Sequence, residues 1–277
     1  MNETPHRLEQ VSFYKVESPL LAFGKNVVSQ CGEDGIIERI FEIVKPANQY
    51  CVEFGAWDGK YLSNCWNLVT NRDWEGCFIE GNANKFESLL KTYSQNANVC
   101  CLNRFVGLDG ESSLDNILSE IHAPENPDFV SIDVDGTDYF IWESLVKHRP
   151  RVLVIEFNPT VPNDVIFVQE KSFEVNQGCS LLALIVLGQE KGYELVCCTR
   201  WNAFFVEKAL YPAFNIPNNF INNLYRPESD GRIFHGYDSH IYVTGMPQLR
   251  WSGVKLGHSD LQLVPPAEQQ FSDAQKR

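Results

Sequence analysis

Short apolar runs alternate with helix-like segments from about residue 34 to residue 206, and this alternation constrains the fold more than any other feature. Continuous apolar runs predict buried strands, and apolar residues at intervals of three and four predict helices. The predicted strands are 50–54, 76–80, 98–102, 128–134, 151–157, 193–198 and 202–206, and the predicted helices are 34–44, 61–71, 84–94, 112–121, 138–147 and 180–191. The pattern predicts a parallel sheet covered by helices that closes on an antiparallel hairpin strand.

Three parts of the chain lie outside this alternation. Residues 158–178 contain two prolines and no clear period, and an insertion of this length directly after a strand predicts a lid or acceptor-binding loop. The sequence from 207 onward is rich in Pro, Asn and Gly with interspersed aromatic residues. We therefore divide the chain into a lead-in segment (1–33), a main domain (34–206), an appendage (207–262) and a flexible tail (263–277).

Composition narrows the range of partners. A net charge of −13 without any basic run argues against nucleic acid, because binding to a phosphate backbone needs clustered Lys and Arg. No apolar run approaches the roughly 18 residues of a membrane helix, and the first residues lack the pattern of a secretory signal. We interpret the chain as a cytoplasmic protein with a small-molecule partner, no nucleic acid and no membrane span; its oligomeric state is unknown.

The nine cysteines include no C-x-x-C pair. Several lie inside apolar runs, where Cys behaves as a small buried hydrophobic residue. Reduced structural thiols are therefore favoured over a zinc site.

The first strand of the main domain ends in a turn that contains Gly55 and Gly59. Glycine lets the backbone approach a ligand without an intervening Cβ, although such turns also serve ordinary packing. Glu80 follows about 20 residues later, where a carboxylate accepts hydrogen bonds from both ribose hydroxyls of a nucleoside. The dinucleotide fingerprint G-x-G-x-x-G is absent, so the turn indicates a nucleoside ligand that lacks a pyrophosphate.

Acidic residues recur at or near the ends of five successive predicted strands. They are Glu53, Glu80, Asp109, Asp133 with Asp135, and Glu156. Each alone could be a solvated strand end or a helix cap. Because ligands of open parallel sheets bind beyond the carboxyl ends of the strands, the repetition favours a ligand site at that edge.

Six segments together resemble the class I S-adenosylmethionine-dependent methyltransferases, and among them the FkbM-like family. The segments are VEFGAWDGKYLSN (52–64), FIEGN (78–82), DFVSIDVDGTDYFIWESL (128–145), RVLVIEFNP (151–159), and SLLALIVLGQEKGYELV with NAFFV (180–196 and 202–206). The resemblance covers roughly residues 30–206. It implies a Rossmann-like α/β fold, with a seven-stranded mostly parallel sheet, a C-terminal antiparallel hairpin strand and helices on both faces.

The resemblance also implies S-adenosyl-L-methionine as the cofactor and a position for each contact. Glu53, Gly55 and Gly59 would line its methionine part, Glu80 would hold the ribose and Asp109 would lie near the adenine edge. Gln30 would approach the cofactor carboxylate, and Asp133 would also contact the cofactor. The sequence departs from the usual pattern at Asp135, where the family often has Glu, and at Trp57, which is bulkier than the usual small residue.

Methyl transfer needs an aligned acceptor and removal of its proton. Asp133 and Asp135, two positions apart on a predicted strand, are expected to face the same side, where one could be a general base or both could share a cation. Asp135, Glu156 and Asn158 form a candidate Mg²⁺ set, similar to the ligands that some class I O-methyltransferases place after strands four and five. Capping of the helix near Asp138 is the structural alternative. His240 is a second candidate base, with packing as the alternative.

These observations predict O-methylation of a hydroxyl on a sugar, a glycan or another secondary metabolite, with possible assistance from a divalent metal. One alternative is N- or carboxyl-methylation of a small molecule. Another is a non-catalytic nucleoside-binding protein with the same fold.

Overall fold

The computed structural model describes residues 18–227, 232–245, 248–249 and 251–268. Seven strands form one sheet in the order β3-β2-β1-β4-β5-β7-β6. They are β1 (Tyr50–Phe54), β2 (Glu75–Ile79), β3 (Val99–Leu102), β4 (Phe129–Ile132), β5 (Val152–Glu156), β6 (Tyr193–Cys198) and β7 (Asn202–Glu207). Neighbouring strands are parallel except that β7 is antiparallel to both β5 and β6. The predicted mostly parallel sheet with an antiparallel hairpin strand is confirmed.

Helices lie between the strands and cover the sheet. They are α1 (Glu33–Val44), α2 (Trp66–Asn71), α3 (Ala83–Tyr93), α4 (Leu114–Glu120), α5 (Asp138–Ser144), α6 (Leu181–Lys191) and α7 (Ile221–Leu224). Every residue of β4 is buried, as a strand must be when both faces of its sheet are covered. As expected, α6 ends at Gly192, which caps it in the left-handed conformation with φ 81°. In the described part of the chain, no helix has the length and apolar character needed to cross a membrane.

Three helices and two strands are shorter than predicted by two residues or more: α2, α4, α5, β4 and β5. α2 begins at Trp66 rather than at residue 61, because the carboxylate of Glu53 holds the preceding turn by accepting from the Ser63 hydroxyl and the Asn64 N–H. α5 ends at Ser144 rather than at residue 147, because Asp115 accepts the next N–H groups from 146, 147 and 148. β4 ends at Ile132, two residues earlier than predicted.

The nine cysteines are all free thiols, and six of them are buried. Most of the buried thiols lie in the apolar core of the sheet, as the sequence predicted for structural cysteines. The region after β7 contributes to the same core through Phe214, Ile216, Leu224 and Tyr225. It also forms a separate two-stranded sheet, β8 (Arg232–His235) with β9 (Ile241–Thr244). Most of the predicted lead-in (residues 1–17) and of the predicted tail (residues 269–277) lies outside the described residues.

Asp128 joins the turn before β1 to the beginning of β4. Its carboxylate is fully buried and accepts N–H groups from Ala47 at 2.8 Å, Asn48 at 2.7 Å and Gln49 at 2.7 Å. The guanidinium of Arg151, which precedes β5, donates to the same carboxylate. One buried charge therefore fixes the amino-terminal ends of three adjacent strands.

We expect Asp128→Ala to lower the free energy of unfolding in urea by about 3–5 kcal/mol, because it leaves Arg151 unpaired and three N–H groups without their acceptor. Asp128→Asn, which keeps one oxygen, should have a smaller effect. Glu42→Ala, which removes an exposed pair with Arg39, is the control and should change the unfolding free energy by less than about 1 kcal/mol. Equal effects at positions 128 and 42 would contradict this assignment.

Candidate functional site

Three adjoining cavities form a cleft along the carboxyl ends of the parallel strands. We name them the β1–β2 cavity, of about 430 Å³, the β1–β4 cavity, of about 310 Å³, and the β4–β5 cavity, of about 360 Å³. Phe54 and Gly55 line both of the first two, and Asp135, Glu156 and Trp251 line both of the last two. The cleft lies at the edge where the sequence predicted a ligand site.

The β1–β2 cavity combines apolar walls with one carboxylate. Ile79, Val106 and Ile141 line it, and the rings of Phe105 and Phe173 meet over it with centroids 4.8 Å apart. Phe105 follows β3, whereas Phe173 comes from the 158–178 insertion. Asn82, Arg104 and Thr137 also line the cavity. A largely apolar site with a few polar groups suits a flat heterocycle attached to a sugar.

Glu80 supplies the one carboxylate of the β1–β2 cavity. Its carboxylate accepts the Trp57 N–H at 2.8 Å and the Asn82 N–H at 2.7 Å, one on each oxygen. An ionised carboxylate has about four lone-pair positions, so both oxygens retain acceptor capacity. The two N–H groups fix the side chain at the wall of the β1–β2 cavity.

The β1–β4 cavity brings together four of the predicted cofactor residues: Gln30, Glu53, Gly55 and Asp133. Gly55 has φ +67°, and a Cβ at this position would lie 2.9 Å from the backbone oxygen of Asp133. A larger residue would therefore force apart the ends of β1 and β4. The close approach explains why glycine is required here.

Gly59 and Asp109 occupy different surroundings from those predicted. A Cβ at Gly59 would lie 2.5 Å from both Leu89 and the Tyr93 ring, so this glycine is required by packing against α3. Asp109 is exposed, and its carboxylate lies 3.4 Å from the Lys171 amine. Neither residue lines any of the three cavities.

Glu53 is buried at the floor of the β1–β4 cavity. The Ser63 hydroxyl and the Asn64 N–H, the latter at 2.8 Å, donate to its two oxygens. Burial raises the pKa of this carboxyl to about 7, although both hydrogen bonds oppose the shift. The residue both holds the turn before α2 and titrates near neutrality.

Asp133, Asp135 and Glu156 form an acid cluster between the β1–β4 and β4–β5 cavities. One carboxylate oxygen from each lies within 4.8 Å of the others. Asp133 and Asp135 lie beyond the end of β4, and Asp135 has φ +59°, so this backbone turn rather than strand alternation brings their side chains together. The expectation that the two acids share one side is met for a different reason.

Burial and mutual repulsion raise the pKa of two acids of the cluster, Asp133 and Glu156. Desolvation, followed by repulsion from Asp138 and Asp135, raises the pKa of Asp133 well above its usual range, even though its side chain remains open to the cavity. Desolvation and repulsion from Asp133 raise the pKa of Glu156 to about 10. These groups therefore favour a shared proton or a cation.

Asn158, which the sequence predicted as a metal ligand, makes hydrogen bonds to both ends of the 158–178 insertion. Its amide oxygen accepts from the Thr160 N–H at 3.0 Å and the Thr160 hydroxyl at 2.6 Å, and its amide nitrogen donates to the Gln177 carbonyl at 2.9 Å. Among the described His, Cys, Asp and Glu residues, the ligand atoms that meet are those of Asp133, Asp135 and Glu156, and Asn158 lines the β4–β5 cavity beside them. Asn158 instead fixes the beginning of the insertion to its end.

Three of the nine described non-glycine residues with positive φ line the β1–β4 cavity. Trp57, Leu62 and Asp135 line it, and all three have φ between +49° and +59°. Residues other than glycine adopt this region rarely and at a cost, and such outliers cluster at functional sites. The Trp57 ring is 49% exposed, with the Lys85 amine 4.1 Å from its centroid, so its bulk lies at the surface of the turn.

The C-terminal region reaches the cleft through Trp251, which lines two cavities and lies 6.2 Å from Trp201 between ring centroids. His240 lines none of the three cavities, and its ring packs on Tyr242 in β9 at 4.7 Å. Sequence reasoning missed Trp251, Phe105 and Phe173 as cleft residues. Phe105 could have been found from its place after β3, but nothing in the local pattern marked the other two.

No family model and no curated protein sequence matches the chain. Among solved structures it is similar to the citrinin polyketide synthase CMeT domain (10% identity, 63% of this chain, 50% of that chain, TM-score 0.43). It is also similar to a putative caffeoyl-CoA O-methyltransferase from Staphylococcus aureus (14%, 66% and 85%, 0.41) and to a SAM-dependent methyltransferase from Aquifex aeolicus (12%, 61% and 86%, 0.35). The chain spans half the length of the polyketide synthase domain. These TM-scores are below 0.5, so the fold assignment rests on the strand order itself.

We expect Glu53 to make stability depend on pH. Because its folded pKa of about 7 lies above the ordinary 4.5, its contribution is complete below pH 4.5 and is lost as the pH rises through 7. Glu53→Gln should remove this loss, which amounts to about 3 kcal/mol of unfolding free energy in all and about 2 kcal/mol between pH 5.5 and pH 8.5. Urea unfolding at about pH 5.5 and about pH 8.5 measures the difference.

Glu87→Gln, at an exposed position on α3, is the control and should follow the unmodified protein at both pH values. Parallel curves for Glu53→Gln and the unmodified protein would show that Glu53 does not titrate in this range.

Proposed function

We propose that this protein is an S-adenosylmethionine-dependent methyltransferase that methylates a hydroxyl of a sugar, a glycan or another secondary metabolite. The observation that carries the proposal is the continuous cleft. It runs from an apolar cavity with a fixed carboxylate, past a glycine turn, to a cluster of three acids. In this order, the three parts would hold the nucleoside of the cofactor, its reactive methyl group and the acceptor.

The residues present fit the cofactor. Glu80 offers two oxygens to ribose hydroxyls beside apolar walls, and Gly55 leaves room where the backbones of β1 and β4 converge. Gln30 offers an amide to the amino-acid end, and the carboxylates of the β1–β4 cavity complement a cationic sulfonium. When bound, S-adenosylmethionine supplies an electrophilic methyl group.

The protein's own contribution would be alignment and removal of a proton. Asp133 opens into the β1–β4 cavity and, when ionised, can take the acceptor's hydroxyl proton, whereas Glu156, with a pKa of about 10, would keep the proton that the cluster shares. The same three carboxylates could hold a divalent cation such as Mg²⁺, which prefers oxygen ligands and acidifies a bound hydroxyl. Asp138 would position Asp135, because its carboxylate accepts the N–H groups of Val134 at 3.0 Å and Gly136 at 2.9 Å.

The acceptor side of the cleft favours a neutral, hydroxylated compound. Among the described residues that line the β1–β4 and β4–β5 cavities there is no Lys or Arg, so nothing there would neutralise an anionic group. Trp201 and Trp251 provide flat apolar surfaces of the kind that stack on sugar rings, and Asn176 and Gln177 provide amides. This combination supports a sugar-like acceptor over a carboxylate.

We expect calorimetry to show micromolar-range binding of S-adenosylmethionine and S-adenosylhomocysteine. Glu80→Ala should weaken both affinities by roughly ten- to hundredfold, because it removes the acceptor of two ribose hydroxyls. Glu75→Ala is the matched control, since Glu75 is exposed at the opposite end of the same strand, and it should bind normally. The absence of binding by the unmodified protein would refute a methyltransferase.

We also expect Mg²⁺ to raise the melting temperature, because a cation relieves the repulsion within the acid cluster. The double variant Asp135→Asn, Glu156→Gln should lose this shift, whereas Glu190→Gln, at an exposed position on α6, should keep it. Equal melting temperatures with Mg²⁺ and with a chelator in the unmodified protein would leave the acids as bases without a metal.

A further inference from the structure

Residues 169–178 form a closed loop that we name the clip. An isolated antiparallel bridge joins Val168 to Cys179, and the Gln169 N–H donates to the Gly178 carbonyl at 3.0 Å. The two ends of the loop therefore lie next to each other. The Asn158 N–H donates to the Cys179 carbonyl at 2.8 Å and fixes them beside the carboxyl end of β5.

The side chain of Gln169 fills the interior of the clip. It is buried, and its amide makes four hydrogen bonds to the clip's own backbone. Its nitrogen donates to the carbonyls of Ser172 at 3.1 Å and Val175 at 2.9 Å, and its oxygen accepts the N–H groups of Gln177 and Gly178, each at 2.8 Å. A loop held from within at four points has one conformation rather than many.

The clip presents different side chains to two of the cavities. Phe173 lines the β1–β2 cavity, whereas Asn176 and Gln177 line the β4–β5 cavity. Phe173 is 47% exposed and its contact Phe105 is 60% exposed, so both rings leave large apolar surfaces to water. A flat ligand between these rings and the apolar wall would cover surface that is costly to hydrate.

We propose that the clip is a shared wall of both halves of the cleft: Phe173 contacts the nucleobase of the cofactor, while the same loop lines the acceptor cavity. The 158–178 insertion is then part of the cofactor site as well as a lid for the acceptor. Phe173 acts by direct contact, and Gln169 is a positioning residue that acts through Phe173. This inference rests on the proposed function, because it takes S-adenosylmethionine as the ligand.

The test is calorimetry on the full chain with two probes, S-adenosylhomocysteine and 5′-methylthioadenosine, which keeps the nucleoside but lacks the amino-acid part. Phe173→Ala should weaken both probes by the same factor, roughly five- to hundredfold, as expected for loss of one base-stacking contact. Phe173→Tyr keeps the ring and should restore most of the affinity. Gln30→Ala should weaken S-adenosylhomocysteine alone.

Two further variants separate positioning from general damage to the loop. Glu174→Ala, on the same clip but outside all three cavities, should bind both probes as the unmodified protein does. Gln169→Leu should weaken both probes, and adding it to Phe173→Ala should cause no further loss, because the two residues act through one contact. A loss of affinity through unfolding would instead lower the melting temperature and add to the effect of Phe173→Ala.

The outcomes that overturn the proposals differ. Unchanged binding of both probes by Phe173→Ala, or additive effects of Gln169→Leu and Phe173→Ala, would overturn the shared wall and leave the proposed function intact. If the unmodified protein binds neither probe, both proposals fail.

Discussion

Carboxylates that accept several backbone N–H groups hold this protein together, and its loops depend on them. Asp128 holds the turn before β1, Asp34 holds residues 27–29, and Asp115 holds residues 146–148. Each N–H belongs to a segment outside a helix or strand, where the backbone has no ladder of its own to join. A chain with 36 acidic residues thus uses some of its negative charge as internal structure.

The acids of the cleft also differ in whether their carboxylates accept backbone N–H groups. Glu53, Glu80 and Asp138 accept N–H groups from the turns around them, and these bonds fix the cleft's shape. Within the described residues, the side chains of Asp133 and Asp135 have no hydrogen-bond or ion-pair partner, although they lie within reach of each other and of Glu156. The acids of the cleft therefore divide into those whose carboxylates hold turns and those whose carboxylates are open to the cavities.

The sequence alone was sufficient to predict the strands of the sheet and the acidic residues at its carboxyl edge. Continuous apolar runs identify buried parallel strands, and the carboxyl ends of such strands must meet, so Glu53, Glu80, Asp133 and Glu156 could be assigned to one edge. The conformations of the turns could not be predicted, because Trp57, Leu62 and Asp135 take left-handed conformations that no local sequence pattern indicates. Trp251 and Phe173 come from segments without periodicity, and only tertiary folding brings them to the cleft.

The reversed direction of β7 determines where this fold can change. Asn202 pairs with Glu156 at the cleft edge and Val206 pairs with Val152 at the far edge, so the chain leaves the sheet behind the site. Trp201 is fixed on the hairpin that enters β7, with its carbonyl accepting the Phe157 N–H at 2.9 Å, whereas Trp251 arrives from the sequence that follows. Trp201 is therefore positioned by the main sheet, whereas Trp251 is positioned by the sequence that follows it. A change in the sequence around Trp251 would therefore reshape this end of the cleft while the seven strands of the main sheet keep their order.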